Sequence, residues 1–181
     1  MKRNYFLPLI LIITSPLAGV AQYCNSAGPS SASDSNIGSV SLIGETTNIS
    51  YTGCPGVIGV ENQTTQVADL IAGNTYSVDL VYGTCGGSYG NAAEVWIDFN
   101  GNQNFDANES IGTWVGTPTS PLVTYSFSVP SNALDGTHRI RVMQHEGGIL
   151  PLDPCGTFIW GQLRTFQLQL PEALLVCRLA P

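Results

Sequence analysis

The densest set of donor oxygens in the chain lies in twelve consecutive residues. Asp98-Phe-Asn100-Gly-Asn102-Gln-Asn104-Phe-Asp106-Ala-Asn-Glu109 carries oxygen-bearing side chains at the first, third, fifth, seventh, ninth and twelfth places. Ca²⁺ takes roughly six to eight oxygens, and a tight loop with this spacing aims them inward, its closing Glu able to bind through both oxygens. Asn104 would act through its backbone carbonyl. The sixth place, usually Gly for the sharp turn, holds Gln103, with Gly101 nearby to ease the bend. All-oxygen donors do not suit Zn²⁺ or Cu⁺. Asn, Asp and Gly also build ordinary hairpin loops, but six registered positions exceed what a turn requires. The expectation is a calcium loop made of Asp98, Asn100, Asn102, Asn104, Asp106 and Glu109.

Other chemistry-bearing patterns are weaker. Gly86-Gly-Ser88-Tyr-Gly90 has the spacing of a nucleophile elbow. That motif needs a strand before it and a helix after it, and here a strand pattern follows. His138 and His145 are the only histidines, both in or at the end of a strand pattern, which does not make a triad. No pair of carboxylates is singled out by spacing. The expectation is a non-catalytic protein. Trp96 sits in an apolar run and reads as core, whereas Trp114 and Trp160 fit core or a sugar-stacking surface equally.

These residues must be positioned by strands. Apolar alternation marks Ile37–Leu42, Thr65–Leu70, Tyr76–Tyr82, Val123–Val129, Thr137–Met143 and Leu163–Leu170, and Ala93–Asp98 reads as a strand buried on both faces. Gly, Pro, Asn and Asp clusters separate them. Seven or more short strands with regular turns predict an all-β fold, an antiparallel β-sandwich of jelly-roll or Greek-key type.

Composition agrees. Charged residues are 10% of the 181, with 20 Gly and 11 Pro. Six Lys+Arg face thirteen Asp+Glu, for a net charge of −7, the wrong sign for a nucleic-acid binder. Lys2 and Arg3, the apolar run Phe6–Ile13 and the small residues Ala18–Ala21 read as a secretory signal peptide, cleaved after Ala21. The run is too short for a membrane span. Cleavage would leave a lysine-free acidic chain, suited to cations, neutral ligands or basic partners.

Cys24, Cys54, Cys85, Cys155 and Cys177 lack metal-site spacing, and in an exported chain they predict disulfides. Four cysteines allow three pairings, and sequence alone does not choose. Local closure suggests Cys24–Cys54 and Cys85–Cys155, with Cys177 left over.

Tyr23-Cys24, the run Val95-Trp-Ile-Asp98-Phe-Asn100-Gly-Asn102-Gln-Asn-Phe105, Val129-Pro130, His138–Val142 and Pro154-Cys155-Gly156 before Gly161 together resemble the GEVED domain. The likeness spans about residues 23–168. It implies a β-sandwich module of secreted and surface bacterial proteins, often beside peptidases or adhesin repeats, with no catalytic role and a poorly defined ligand. It also puts the six loop residues on the family's acidic calcium-type loop, here richer in Asn and so a weaker site. The name-giving motif departs. Where the family has Gly-Glu-Val-Glu-Asp-Tyr, this chain has Gly161-Gln-Leu-Arg164-Thr165-Phe166, keeping the Gly and the aromatic. Those acids could serve the metal or pair with Arg139 or Arg141. A reading-frame shift near Gln162 is one account of their loss.

The resulting expectation is a signal peptide over 1–21, a sandwich over 22–170 and a poorly ordered tail over 171–181. The protein would be a secreted, calcium-binding adhesion or ligand-binding module for an extracellular glycan or protein, without nucleic acid or a membrane span. The alternative is an accessory or targeting domain of a larger secreted hydrolase.

Overall fold

The computed structural model describes residues 22–171. The expected signal peptide, the tail beyond Pro171 and Cys177 lie outside the described residues. Ten strands are present: β1 Gly28–Ser31, β2 Ser35–Ile43, β3 Asn48–Thr52, β4 Val60–Asp69, β5 Thr75–Thr84, β6 Asn91–Ile97, β7 Ser110–Gly116, β8 Val123–Ser128, β9 Gly136–Glu146 and β10 Thr157–Leu170. One sheet has the order β1-β10-β9-β6-β7, with β4 also paired to β10; the other is β3-β2-β5-β8. The fold is the expected all-β sandwich. No helix among the described residues is long and apolar enough to cross a membrane.

Seven strands fall where the apolar patterns placed them. β1, β3 and β7 were not legible: β1 is Gly-Pro-Ser-Ser, β3 has five residues, and Gly112 interrupts β7. The purely antiparallel expectation also needs correction. β1 and β4 both run parallel to β10, β1 beside its first residues and β4 beside Leu163–Gln169. Only β2–β3, β6–β7 and β9–β10 are consecutive antiparallel neighbours; β1 and β4 each pass to the other sheet before meeting β10, so their direction is not set by a hairpin.

The main core lies between the sheets. Ile37, Leu80 and Tyr82 from one sheet meet Val95, Val142 and Phe166 from the other. A second cluster covers the outer face of the larger sheet, where Trp96, Met143 and Leu163 pack under Phe105, Leu152 and Phe158. Thus β6 is buried along its whole length, and Trp96 is core, as expected.

All four cysteines expected in disulfides are bonded, but the pairing is corrected to Cys24–Cys155 and Cys54–Cys85, each with Cα atoms 5.7 Å apart. Parallel pairing of Gly28 with Thr157 brings the residues just upstream of β1 and β10 together, which joins Cys24 to Cys155. β3 and β5 flank β2 and both run against it, so Cys54 and Cys85 leave the same edge of the sheet. Closeness along the chain did not predict closeness in space.

Candidate functional site

The oxygen-rich loop follows β6 and closes in a 3₁₀ turn, Ala107–Glu109. Asp98 is fully buried, and its carboxylate organises the turn. It accepts from the backbone N–H of Gly101 at 2.8 Å and of Gln103 at 3.0 Å. Asn100 and Asn102 continue the pattern by accepting from the N–H groups two residues on, each at 2.8 Å. Gln103 adopts φ 64° and Gly101 φ 68°. The chain therefore makes the left-handed turn at the sixth place without the usual Gly, at a steric cost that only Gly avoids.

The turn returns Glu109 under the loop, 4% exposed. Its carboxylate accepts from Phe99 N at 3.1 Å and Asp106 N at 3.0 Å. Burial, and then the charges of Asp98 and Asp106, push the Glu109 carboxyl upward against the lowering effect of the Asp106 and Asn100 backbone N–H groups. Like charges gathered in a partly dry loop favour a cation.

The structure brings the six expected residues into one loop, but not all toward one centre. Among the described residues no group of three or more His, Cys, Asp or Glu is arranged to hold a metal. The side-chain N–H groups of Asn100 and Asn102 point at Asp106, at 3.2 and 2.9 Å, and offset its charge. The amide oxygens of Asn100 and Asn102 are meanwhile engaged by the backbone N–H groups of Asn102 and Asn104.

Beside the loop lies a cleft of about 420 Å³ on the outer face of the larger sheet, lined by Tyr23, Asn62, Thr64, Arg139, Arg141 and Thr165 among others. Sequence reasoning did not find it, because it combines the segment before β1 with β4, β9 and β10. Tyr23 joins the two features. Its hydroxyl donates to Asp98 at 2.5 Å, its ring packs 5.3 Å from Phe105, and it lines the cleft. Burial and the Asp98 carboxylate push its phenol well above the ordinary range. Arg141 is fully buried over the Phe105 ring at 4.6 Å. It donates to Thr165 Oγ1 at 3.1 Å, Pro154 O at 2.8 Å and Cys24 O at 3.0 Å. Burial lowers its pKa to about 10, so it stays cationic at neutral pH.

The other singled-out residues fall elsewhere. Ser88 donates to the Pro118 carbonyl from a loop between two strands, with no helix after it. The His138 ring nitrogens lie 2.8 and 2.7 Å from the carbonyls of Asp98 and Leu134. His138 therefore ties the loop to the segment before β9. His145 stacks on Phe158 at 4.4 Å, and burial lowers its pKa. Trp114 stacks on Tyr82 at 4.7 Å against the main core, whereas Trp160 is 42% exposed.

The motif strand β10 makes a different node. Gly161 has φ 141°, and a Cβ there would lie 2.1 Å from the Gln144 carbonyl, so the retained Gly is sterically required. Arg164 is buried and pairs with Glu61 at 2.7 Å. It also donates to Ile37 O at 2.7 Å and Asn36 Oδ1 at 2.9 Å, and lies over the Tyr51 ring at 4.2 Å.

A family model described as the GEVED domain matches residues 92–169, a span holding both the loop and β10. No curated protein matches the chain. The match continues past Gln162, and Arg164 is met by three protein acceptors. β10 thus forms as period two predicts, and the nucleotide sequence is what decides the frame-shift account.

Proposed function

We propose, from the premise that this chain carries a GEVED domain over residues 92–169, that it is an exported, non-catalytic binding module. Its oxygen-rich loop takes Ca²⁺, and its adjoining cleft takes an extracellular ligand. The observation that carries this reading is Tyr23, whose hydroxyl is bonded to the first loop residue while its ring walls the cleft. An ion bound by Asp98 would therefore act on the cleft through one side chain. Two disulfides support an oxidising compartment. His138 and Ser88 are both engaged with backbone carbonyls, which supports a non-catalytic role.

When bound, Ca²⁺ would supply positive charge and fixed geometry to the loop. Asp98, Asp106 and Glu109 would give carboxylate oxygens, Asn100 and Asn102 amide oxygens, and Asn104 its main-chain carbonyl. Extracellular modules of this type bind at ~10⁻⁴–10⁻³ M. At 100 times the dissociation constant the fold gains about 2.7 kcal/mol. The test is thermal unfolding in EDTA and in tens of millimolar Ca²⁺, with Asp98→Asn as control. The expected result is a Ca²⁺-dependent rise in Tm that the variant loses. Superimposed curves for the parent protein would reduce the loop to a hairpin.

A further inference from the structure

We infer that the cleft beside the loop is a binding site for a sugar acid, a saccharide unit carrying a carboxylate. The inference rests on the ligand-binding reading above and names its ligand class. It does not depend on the loop holding Ca²⁺.

The cationic side chains carry the argument. Among the described residues there is no Lys, and the arginines are Arg139, Arg141 and Arg164. One ion pair forms among those residues, Arg164 with Glu61. The other two arginines both line the same cleft, in a chain of net charge −7. Buried charges are ordinarily paired. Arg141 is fully buried, yet its oxygen acceptors are a hydroxyl and two backbone carbonyls, all neutral, and its other contacts are Cys24 Sγ at 2.8 Å and the Phe105 ring at 4.6 Å. Its register partner across the strands is Thr165, the position at which the GEVED resemblance would put Asp. Arg139 is half-buried and donates to Gln167 Oε1 at 2.9 Å and to the His138 carbonyl at 3.4 Å, again neutral groups. A carboxylate entering the cleft would meet the guanidinium fork of half-buried Arg139, and fully buried Arg141, its N–H groups already held by neutral acceptors, would add positive charge from behind.

The rest of the lining selects the kind of carboxylate. Asn25, Asn62, Thr64 and Thr165 offer amides and hydroxyls, and Tyr23 offers part of an aromatic face. These are partners for ring hydroxyls and a sugar face, and Val60 is the one aliphatic side chain in the lining. The volume of about 420 Å³ falls in the small-ligand range. The loop carboxylates stand one aromatic ring away, behind Tyr23, and repel a dianion more than a monoanion. That favours a carboxylate over a phosphate.

The test is an NMR titration of the full chain with galacturonate, galactose, glutamate and inorganic phosphate in turn, in non-carboxylate buffer, after divalent cations are removed by dialysis against metal-free buffer and again with Ca²⁺. The expected result is saturable shifts of the Arg139, Arg141, Thr165 and Asn62 signals with galacturonate and none with galactose. Arg139→Gln should weaken that binding at least tenfold. Thr165→Asp, which places an internal carboxylate opposite Arg141, should abolish it. Equal binding of galactose, with Arg139→Gln silent, overturns the acid requirement while leaving a ligand-binding cleft. Glutamate or phosphate binding as tightly as galacturonate overturns the saccharide assignment. No shift with any probe overturns the inference, and the Ca²⁺ melting curves then still judge the loop separately. If Thr165→Asp fails to fold, Arg139→Gln decides, because Arg139 is half-exposed and outside the core.

Discussion

Arg164 and Arg141 sit on neighbouring strands, both without solvent exposure, and differ in what faces them. Arg164 points between the sheets, meets the Glu61 carboxylate and lies over Tyr51. Arg141 points to the outer face, lies over Phe105 and meets hydroxyl, carbonyl and sulfur groups only. Each is tied to a different disulfide. Asn36, which accepts from Arg164, donates to Cys54 and Cys85 sulfur at 3.4 and 3.0 Å. Arg141 donates to Cys24 itself. The difference traces to adjacent positions of β10. Consecutive strand residues face opposite ways, so replacing neighbouring motif acids changed two separate environments. At 164, where the resemblance implies Glu, Arg meets Glu61 of β4. At 165, where it implies Asp, Thr gives Arg141 a hydroxyl. The first makes a charge-paired brace, and the second leaves a buried cation with neutral partners.

The largest test of this contrast is removal of the disulfides. In the chain-entropy account, Cys24→Ser with Cys155→Ser should cost about 5 kcal/mol and Cys54→Ser with Cys85→Ser about 4 kcal/mol, following sequence separations of 131 and 31. Guanidinium unfolding measures both. Only the first pair should also disturb the Arg141 side-chain signals.

Glu61→Gln should cost about 3 kcal/mol in urea unfolding, because it strands a buried guanidinium. Replacing Glu61 and Arg164 together by Leu should recover much of that loss. A Glu61→Gln loss near zero would mean that the neutral acceptors suffice for Arg164, and the contrast would fail. Thr165→Asp acts in the other direction. It should raise stability by giving buried Arg141 a carboxylate partner, and the gain should depend little on salt because both positions are buried; urea unfolding at two salt concentrations measures it.

The smallest effect is expected away from both arginines. Asp69 accepts from Thr46 N at 2.9 Å and Oγ1 at 2.6 Å, and from Thr47 N at 2.7 Å and Oγ1 at 3.0 Å. Burial pushes its carboxyl up, but these donors outweigh it and hold it well below the ordinary carboxylate range. A depressed acid stabilises above its unfolded value, and that contribution is lost as pH falls toward its folded value. Stability should therefore decline below about pH 4, and Asp69→Asn should flatten that part of the curve. Chemical denaturation at a series of acidic pH values measures it.

Much of this protein is local and was legible in the sequence. Period-two patterns placed six strands, because a half-buried strand must alternate, and a continuous apolar run placed β6, which is buried on both faces. The spacing from Asp98 to Glu109 placed the loop, because its turns are made by hydrogen bonds between residues two to five apart. Gly161 was legible as part of the motif, though its reason, the approach of the Gln144 carbonyl, was not. What only the tertiary structure decided is long-range. The disulfide pairing follows from strand neighbours, and β1 pairs with β10 across most of the chain. The partner of Arg164 is Glu61, more than a hundred residues earlier. The cleft exists because the segment before β1 is clamped against β9 and β10. Short strands without alternation leave no periodic signal, and charge pairing across a sandwich is set by register, which no local pattern encodes.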